Sequence, residues 1–458
     1  MEADLKPQSA ASPAGRTTPP NYKWWVVFML WFVCFFNYAD RQALSGIAPK
    51  LKEEFHFTND QMGLIGSAFM WIYAAGAPFA GFIADRFRRV NLILGGCFFW
   101  SVVTVATGWC SQLWQFIGVR ALEGFGETFY FPASMSLVSD YHSPKTRSRA
   151  MAFHQSSVYA GTILGSWLGA LLAQELSLKV MLYVFGKTVS FNAAGWQLSF
   201  FVFGTLGMVL AGALFVFLRE PKRGESEFAS IAPAASPDLR TTLADIFHTR
   251  TAPLLMLVFA GANAVAGVFL FWTPTFLVKK FHFQLAAAGL NGAVYIHLAS
   301  ACSVPFCGML ADKLASRYAG GRILAQAFGL LVGAGFLSLV GLAENVKTLL
   351  IAMTCFGLCK GCYDAGIFAS LYDVVPPRSR ATAAGIMNTV GWIGGAIATW
   401  LTGWYADHGS HGSDVANMSH AIAYGGLIYL AGAGILIAAA TTLLRRDTIG
   451  AARDLPKS

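Results

Sequence analysis

The sequence predicts an all-α membrane protein with twelve transmembrane helices, arranged as two pseudo-symmetric bundles of six. Composition is the first reason, because 55% of the 458 residues are hydrophobic and only 12% are charged, a balance typical of membrane proteins. Length is the second reason, because the apolar residues form twelve runs, each near the roughly 20 residues that cross a bilayer. The third reason is that short motifs of the first half recur in the second half.

The apolar runs divide the chain into two bundles joined by a polar linker. They lie at residues 24–46, 61–84, 91–110, 112–139, 150–173, 196–218, 252–278, 285–310, 323–342, 347–373, 381–404 and 420–444. The polar start of the chain has no apolar stretch that a cleavable signal would need. We therefore predict a disordered cytoplasmic tail at 1–20, an N-terminal bundle at 21–218, a cytoplasmic linker at 219–250, a C-terminal bundle at 251–444 and a cytoplasmic tail at 445–458.

Basic residues fall mainly on one side of these runs. Of the 33 Lys and Arg residues, 23 lie on the side of the N-terminus, 7 on the opposite side and 3 inside the runs. Since Lys and Arg are retained in cytoplasmic loops, both termini are predicted to be cytoplasmic. A basic rim facing anionic lipids accounts for the net charge of +9 without a nucleic-acid partner. We expect a monomer in a bacterial inner (plasma) membrane.

Two motifs occur once in each half, at nearly the same spacing. The loop after the second run reads GFIADRFRR from Gly81, and the loop after the eighth run reads GMLADK, in which Asp312 corresponds to Asp85. The letters RSRA follow the fourth run at Arg147 and the tenth run at Arg378. A carboxylate in such a loop can accept hydrogen bonds from the start of a neighbouring helix, while arginines reach helix ends. We predict a gating loop that latches the two halves, formed by Gly81, Asp85, Arg86, Arg89 and Asp312.

These motifs resemble those of a known superfamily. The pattern Gly-x3-Asp-Arg-x-x-Arg is similar to the signature loop of the major facilitator superfamily, whose fold matches the twelve runs. FNYADR from Phe36 and RALEGFGETFYFP from Arg120 resemble two of its branches, the anion:cation symporters of sugar acids such as hexuronates and galactonate, and the spinster-like lipid transporters. The fourth run reads GET at Glu127 where the acid transporters read GEG, so both branches stay open. The resemblance implies a secondary transporter working by alternating access, not an enzyme.

Seven Asp, Glu, Lys and Arg side chains lie inside the apolar runs and away from their ends, including 4 of the 24 carboxylates. An ionised group at the centre of a membrane helix costs roughly 3 kcal/mol on insertion scales, so such groups indicate function. Three of them share one face of the fourth run, where the arginine can neutralise one carboxylate and leave the other free. Two others are four residues apart in the tenth run, which fits an intrahelical ion pair. The seven groups are Asp40, Arg41, Arg120, Glu123, Glu127, Lys360 and Asp364.

Adjacent charges in the first run suggest proton coupling. Asp40 and Arg41 point about 100° apart on a helix, so each needs a partner on another helix or in a water-filled cavity. We hypothesise that Asp40 and Glu127 exchange protons as the halves rock, and that protonation frees Arg41 to bind an anionic substrate. The alternative is a permanent network of buried salt bridges that holds the helices together.

The resemblance also implies a substrate site. Five polar residues match positions that face the substrate in the acid transporters, and each places a hydrogen-bonding group in an apolar helix. They are Tyr38, Arg41, Tyr73, Gln155 and Asn388. Such residues also serve as contacts between helices. The predicted function is proton-coupled symport of a small organic anion such as a sugar acid, and the alternative is spinster-like transport of a lipid or lysolipid.

No cofactor is predicted apart from a proton as the coupling ion. The sequence has no metal-ligand cluster, no nucleotide-binding loop and no nucleophile paired with a base. The expected partners are a small anionic or amphiphilic substrate and membrane lipids. The eight cysteines lie almost wholly inside apolar runs, and we expect them to be packing residues rather than disulfides.

Overall fold

The computed structural model describes residues 21–175, 178–184, 187–221, 239–318, 320–376 and 379–443. The predicted tails at 1–20 and 445–458, and residues 222–238 of the predicted linker, lie outside the described residues. The helices of the first half are α1 (Tyr22–Phe55), α2 (Asn59–Arg86), α3 (Arg89–Thr107), α4 (Leu113–Thr128), α5 (Tyr130–Tyr141), α6 (Pro144–Glu175) and α7 (Gly195–Phe217). A short helix, α8 (Leu239–His248), lies in the predicted linker.

The second half repeats this helical pattern and confirms the predicted fold class. It contains α9 (Thr251–Phe281), α10 (Leu285–Arg317), α11 (Gly321–Leu342), α12 (Val346–Asp364), α13 (Ile367–Val374), α14 (Arg380–His408) and α15 (Asp414–Ala438), followed by a π-helical turn at Ala439–Leu443. The fourth and tenth predicted runs are each split into two helices. In the fourth run the split precedes Pro132, whose ring nitrogen cannot donate to the carbonyl four residues back.

One element was not predicted. Strands β1 (Leu178–Val184) and β2 (Lys187–Ala193) form an antiparallel hairpin between α6 and α7, with Leu178 opposite Ala193 and Val184 opposite Lys187. Both strands contain Val and an aromatic residue, which fit a pleated backbone. The hairpin lies between two apolar runs, where the sequence predicts only a connecting loop.

Nine helical segments in the described part of the chain are long and apolar enough to cross a membrane, judged by length and composition. The three other predicted runs correspond to α1, to α4 with α5, and to α14. Helix α1 carries FNYADRQ from Phe36, the fourth run is split into helices of 16 and 12 residues, and α14 contains several Gly residues. These three segments carry seven of the eleven residues predicted for proton coupling, substrate binding and the charge network.

We call the face of the bundle at which α1 begins the near face, and the face at which α1 ends the far face. Toward the far face the two halves pack closely through backbone atoms. A Cβ atom on Gly403 of α14 would overlap the carbonyl oxygen of Asn59 in α2, and one on Gly289 of α10 would lie 2.6 Å from the carbonyl oxygen of Ser166 in α6. Only glycine allows helices to approach this closely.

One cysteine pair corrects the expectation that the cysteines only pack. Cys307 of α10 and Cys362 of α12 form a disulfide, with their Cα atoms 4.9 Å apart. The two residues are 55 positions apart in the chain. No spacing in the sequence marks this pairing, which becomes apparent only when the two helices pack side by side.

Candidate functional site

A buried ion pair links α1 to α4. The Nη2 atom of Arg41 lies 2.5 Å from Oε2 of Glu127, and the two side chains are 8% and 0% exposed. The same Nη2 atom also donates to Oδ1 of Asn37 at 3.3 Å. The other carboxylate oxygen of Glu127 and the Nε atom of Arg41 have no hydrogen-bond partner among the described residues. The pair is thus closely joined but leaves hydrogen-bonding capacity on both partners.

Four aromatic rings surround the Arg41 guanidinium, and we call them the aromatic cage. The guanidinium carbon lies 4.2 Å from the ring centroid of Phe69, 4.7 Å from Tyr38, 5.3 Å from Trp392 and 5.7 Å from Tyr73. Cation–π attraction is strongest where the cation has lost its water. The predicted residues Tyr38 and Tyr73 thus lie beside Arg41. Trp392 comes from α14, so both halves of the protein contribute to the cage.

Asp40 is the unpaired acid of the site. Its side chain is fully buried, and neither carboxylate oxygen accepts a hydrogen bond from the described residues. The charged groups that act on it electrostatically are Glu123, Glu127 and Arg120. A buried carboxylate without a hydrogen-bonded partner is stable only in its neutral form. The geometry therefore fits Asp40 as a protonated acid in this conformation.

Helix α4 holds a second buried ion pair. Arg120 binds Glu123, one turn further along the helix. The Thr104 hydroxyl lies 3.3 Å from a carboxylate oxygen of Glu123 and 2.9 Å from the carbonyl oxygen of Trp100. Arg120 therefore neutralises Glu123, which leaves Glu127 to Arg41. The spacing of these groups on one helix face did not decide which carboxylate Arg120 would take.

The other predicted substrate residues lie apart from the aromatic cage. Gln155 on α6 is exposed, and Asn388 on α14 is half-buried, one helical turn from Trp392. Among the described residues no hydrogen bond joins Gln155 or Asn388 to Arg41, so their part in a substrate site stays a prediction. Lys360 and Asp364 form the expected ion pair on α12.

The predicted gating loop of the first half is anchored by Arg89. Arg89 is buried and binds Asp140 of α5 and Glu220, which follows α7. Arg86 is exposed at the end of α2. The side chain of Asp85 and the surroundings of Gly81 lie outside the described part of the structure.

The corresponding loop of the second half contains a similar group of charges. Arg322, at the start of α11, binds Asp312 at 2.7 Å and also pairs with Asp373 of α13. These ion pairs, like those of Arg89, join helices of the same half. They order the near face of each bundle, and a latch between the bundles stays a prediction.

A cavity lies between the two halves. Helices α1 and α6 supply one wall, and α9, α10, α12 and α15 supply the other. Apolar side chains such as Phe269, Ile296 and Phe356 cover much of the surface. Its polar lining consists of Gln42, Ser45, Ser166, His297 and Lys360. The cavity is therefore mostly apolar, with polar groups contributed by both halves.

Comparison with known protein families shows which family the chain belongs to. A family model described as the Major Facilitator Superfamily matches residues 30–399 and, in a second alignment, residues 276–457. The chain belongs to the Major Facilitator Superfamily. It is therefore a multi-pass membrane protein with the fold that the sequence predicted.

Relatives of this chain come from both predicted branches. It is 28% identical to the protein spinster of Drosophila melanogaster over 408 residues, covering 87% of this chain and 64% of that protein. It is 29% identical to the human protein spinster homolog 1 over 260 residues, covering 56% of this chain and 46% of that protein. The chain thus spans less than two thirds of these spinster proteins. It is also 26% identical to the "Probable L-galactonate transporter" of Escherichia coli (strain K12), covering 83% and 82% of the two chains.

Solved structures support the same fold. A bacterial homologue of the human lysosomal transporter spinster, in an inward-facing and unoccupied conformation, superposes with a TM-score of 0.80. Its sequence is 20% identical to this chain, and the alignment covers 94% of this chain and 99% of the other. The occupied form of that homologue gives a TM-score of 0.78. At this identity the comparison establishes only the fold of this chain.

A polar cluster, which we call the far-side gate, joins the two halves of the protein at the far face. It is formed by Lys52, Asn59, Lys279, Asp407 and Asp414. Asn59 donates to Asp407 at 2.6 Å and accepts from the ammonium of Lys52 at 2.5 Å. Lys279 lies 2.5 Å from Asp414 and 3.3 Å from the side-chain oxygen of Asn59. Lys52 and Asn59 belong to the first half and the other three to the second, so this cluster has to separate for the far face to open.

Asp407 also caps the start of α2. The backbone N–H of Asp60 donates to Asp407 at 2.7 Å, and the indole N–H of Trp400 donates to Asp60 at 2.8 Å. The first N–H groups of a helix have no intrahelical partner, and they carry a partial positive charge that favours a carboxylate. A residue of the second half thus completes a helix of the first half only while the gate is closed.

The gate predicts a pH-dependent conformational equilibrium. Lys52 lies beyond the predicted membrane span, and burial together with neighbouring Lys279 lowers the pKa of Lys52 from 10.5 to about 8. In the closed gate Lys52 therefore loses its proton at lower pH than in the open gate. Between about pH 8 and 10.5 the closed gate binds fewer protons, so its population should rise with pH. Below that window Lys52 is protonated in both states and adds no pH dependence.

Spin labels at Glu53→Cys and Glu344→Cys measure this equilibrium, because both residues are exposed at the far face on opposite halves. We expect the short-distance population to grow from pH 8 to pH 10. The same pair of labels in a Lys52→Met background is the control and should lose most of this change. An equal pH response in both proteins would assign the effect to another group.

Proposed function

We propose that this protein is a transporter of small molecules rather than an enzyme, and that it couples proton movement to the passage of an organic anion. The observation that carries the proposal is the arrangement of Arg41, Glu127 and Asp40. A buried cation is held 2.5 Å from one acid, while a second, fully buried acid beside it in sequence has no hydrogen-bond partner among the described residues. A permanent structural pair needs no such additional acid. An acid that gains and loses a proton needs a place where its neutral form is stable.

A proton transfer allows Arg41 to exchange Glu127 for the anionic group of the substrate. Glu127 neutralises Arg41 when no substrate is bound. A proton that passes from Asp40 to Glu127 removes the negative charge from that partner, and the guanidinium can then take the carboxylate or phosphate of a substrate. Asp40 regains a proton from solution, and release of the substrate allows Glu127 to lose its proton and bind Arg41 again. Each cycle then carries about one proton with each anionic charge, which avoids leaving an unpaired charge in the membrane.

A contact between the two halves gives a physical reason why events at Arg41 are coupled to the conformational change. Trp392 from the second half lies over Arg41 of the first half and also packs against Tyr73, with a centroid distance of 4.7 Å. A change in the position of Arg41 therefore alters a contact between the halves. Binding that favours one arrangement of this contact shifts the equilibrium between conformations by its difference in affinity.

The cavity lining favours an anionic amphiphile over a sugar acid. A sugar acid carries several hydroxyls, and each buried hydroxyl needs a hydrogen-bond partner. Phe269, Ile296 and Phe356 offer none, and they suit an alkyl chain instead. Similarity to the spinster proteins supports the amphiphile, whereas similarity to the "Probable L-galactonate transporter" supports the sugar acid. Monomeric action in a bacterial inner membrane, with both termini cytoplasmic, completes the proposal.

Transport in proteoliposomes tests the coupling. Asp40→Asn is expected to retain exchange of internal and external substrate but to lose more than about tenfold in uptake driven by a pH gradient, because the amide keeps the shape and carries no transferable proton. Lysophosphatidate and galactonate are the two substrates to assay. Glu54→Gln, which removes an exposed carboxylate from the same helix, is the matched control. Equal gradient-driven uptake by Asp40→Asn and the wild type would remove the coupling role.

A further inference from the structure

One residue in the lining of the cavity is a cation, Lys360, which belongs to the half opposite Arg41. Lys360 of α12 pairs with Asp364, one turn further along the helix. Its arrangement resembles that of Arg41, since each cation is neutralised by one carboxylate of its own half. In transporters built from repeated halves the substrate site lies between the halves, so both supply contacts. Among the substrate residues predicted from the sequence, only Asn388 belongs to the second half.

Exposure distinguishes the Lys360 pair from a structural ion pair. The side chains of Lys360 and Asp364 are 19% and 32% exposed, whereas those of Arg120 and Glu123 are 4% and 3% exposed. The Arg120 pair is sealed between helices and has the burial expected of a structural contact. Lys360 instead reaches an open space that a ligand can enter, so an incoming anion can compete with Asp364.

Polar groups on the first half face the same cavity and keep hydrogen-bonding capacity. Ser166 is 1% exposed, and its hydroxyl has no hydrogen-bond partner among the described residues. Gln42 is also buried, and its side-chain oxygen accepts a long hydrogen bond of 3.4 Å from Ser45. Buried hydroxyl and amide groups usually have closer partners. Such donors and a lysine in the lining of one cavity form a suitable environment for the oxygens of an anion.

We propose that Lys360 is an anion-binding residue of the transport site, which holds the carboxylate or phosphate group of the substrate on the second half of the protein. Ser166 and the Gln42 amide donate hydrogen bonds to the anion from the first half. When the anion is absent, Asp364 forms an ion pair with Lys360. The inference rests on the proposed function, because it assigns a further contact to the transported anion. It assigns Lys360 a role beyond an intrahelical ion pair.

Sulfate is the simplest probe of this site. The full-length protein in detergent is heated with increasing sodium sulfate, and sodium chloride at matched ionic strength provides the reference. We expect sulfate to raise the melting temperature of the wild type in a saturable manner, since binding to the folded state alone stabilises it. Lys360→Met should weaken the apparent affinity about 10- to 100-fold, the range for a lost charge-assisted hydrogen bond. Lys347→Met removes an exposed lysine from the same helix and should have no effect.

Asp364→Asn distinguishes anion binding by Lys360 from a purely structural role of the ion pair. Removing the competing carboxylate frees Lys360, so sulfate affinity should increase at least about 5-fold, the lower end of typical coupling free energies. The double variant Lys360→Met/Asp364→Asn keeps the pair neutral and should bind as weakly as Lys360→Met alone. Saturable sulfate stabilisation that survives in both Lys360→Met proteins, or a wild type that responds equally to sulfate and chloride, would overturn the proposal.

Two further ligands identify the source of the anion. Lysophosphatidate and galactonate carry a phosphate and a carboxylate respectively, and the one that belongs to this site should lose affinity in Lys360→Met but retain it in Lys347→Met. Binding is measured without a proton gradient, so a failure of proton coupling in Asp40→Asn leaves this result unchanged. Conversely, normal proton coupling combined with unaltered binding by Lys360→Met would reject the anion site alone.

Discussion

Replacing Arg41 by Met is expected to destabilise the protein at pH 8 by about 3–5 kcal/mol, the usual loss when one partner of a buried ion pair is removed. Met retains an apolar stem against the aromatic cage, so the loss arises mainly from Glu127, which becomes a buried acid without a partner. The loss should be smaller at pH 5, because a protonated Glu127 needs no counter-ion. Denaturant titration in mixed micelles at the two pH values measures this difference.

The double variant Arg41→Met/Glu127→Gln separates charge from packing. With both charges absent, most of the lost stability should return, although anion binding should not. The control is Lys50→Met, which removes one partner of the exposed Lys50–Glu53 pair on the same helix and should cost less than about 1 kcal/mol. If Arg41→Met unfolds like the wild type at pH 8, Glu127 does not depend on Arg41 as a buried partner.

Gly403→Ala is expected to open the far face. The added Cβ would overlap the carbonyl oxygen of Asn59, a clash that persists only while α2 and α14 are packed together. Overpacking of this kind costs typically about 1–3 kcal/mol, which corresponds to a shift of roughly 5- to 150-fold in the equilibrium. Spin labels at Glu53→Cys and Glu344→Cys should therefore report a larger distance across the far face.

Gly385→Ala is the matched control, because Gly385 lies on the same helix and the added Cβ has no described neighbour from another part of the fold within 4 Å. It should leave the label distances unchanged, and the better helix propensity of Ala should if anything stabilise α14. Circular dichroism of both variants checks that the helices form. Label distances that agree between the two variants would mean that Gly403 does not limit closure.

Sequence patterns identify the acids and bases inside the membrane but not their partners. Asp40, Arg41 and Glu127 stand out because charges are rare inside apolar runs, and this signal needs no knowledge of packing. The choice of Glu127 by Arg41 depends on how α1 meets α4, and helical spacing left Arg120 free to take either acid. Only the packed structure therefore determines which carboxylate is available for exchange.

Other features were missed because their residue types are common in such a chain. Trp392 resembles many aromatic residues of membrane helices, and it lies over Arg41 only when α14 packs against α1 and α2. Asp407 and Lys279 lie in segments where charges usually set topology, so nothing marked them as a gate. The fold class, by contrast, follows from the length and number of the apolar runs, which do not depend on how the helices pack.

The charges of α1 have a consequence for how the protein is made. A helix that carries Asp40 and Arg41 partitions poorly into lipid when it is alone, since each charge costs roughly 3 kcal/mol on insertion scales. Its partner Glu127 is synthesised 86 residues after Arg41. Stable insertion of α1 in the bilayer therefore depends on the arrival of α4. A segment that leaves the ribosome early is stably inserted only after later segments have packed against it.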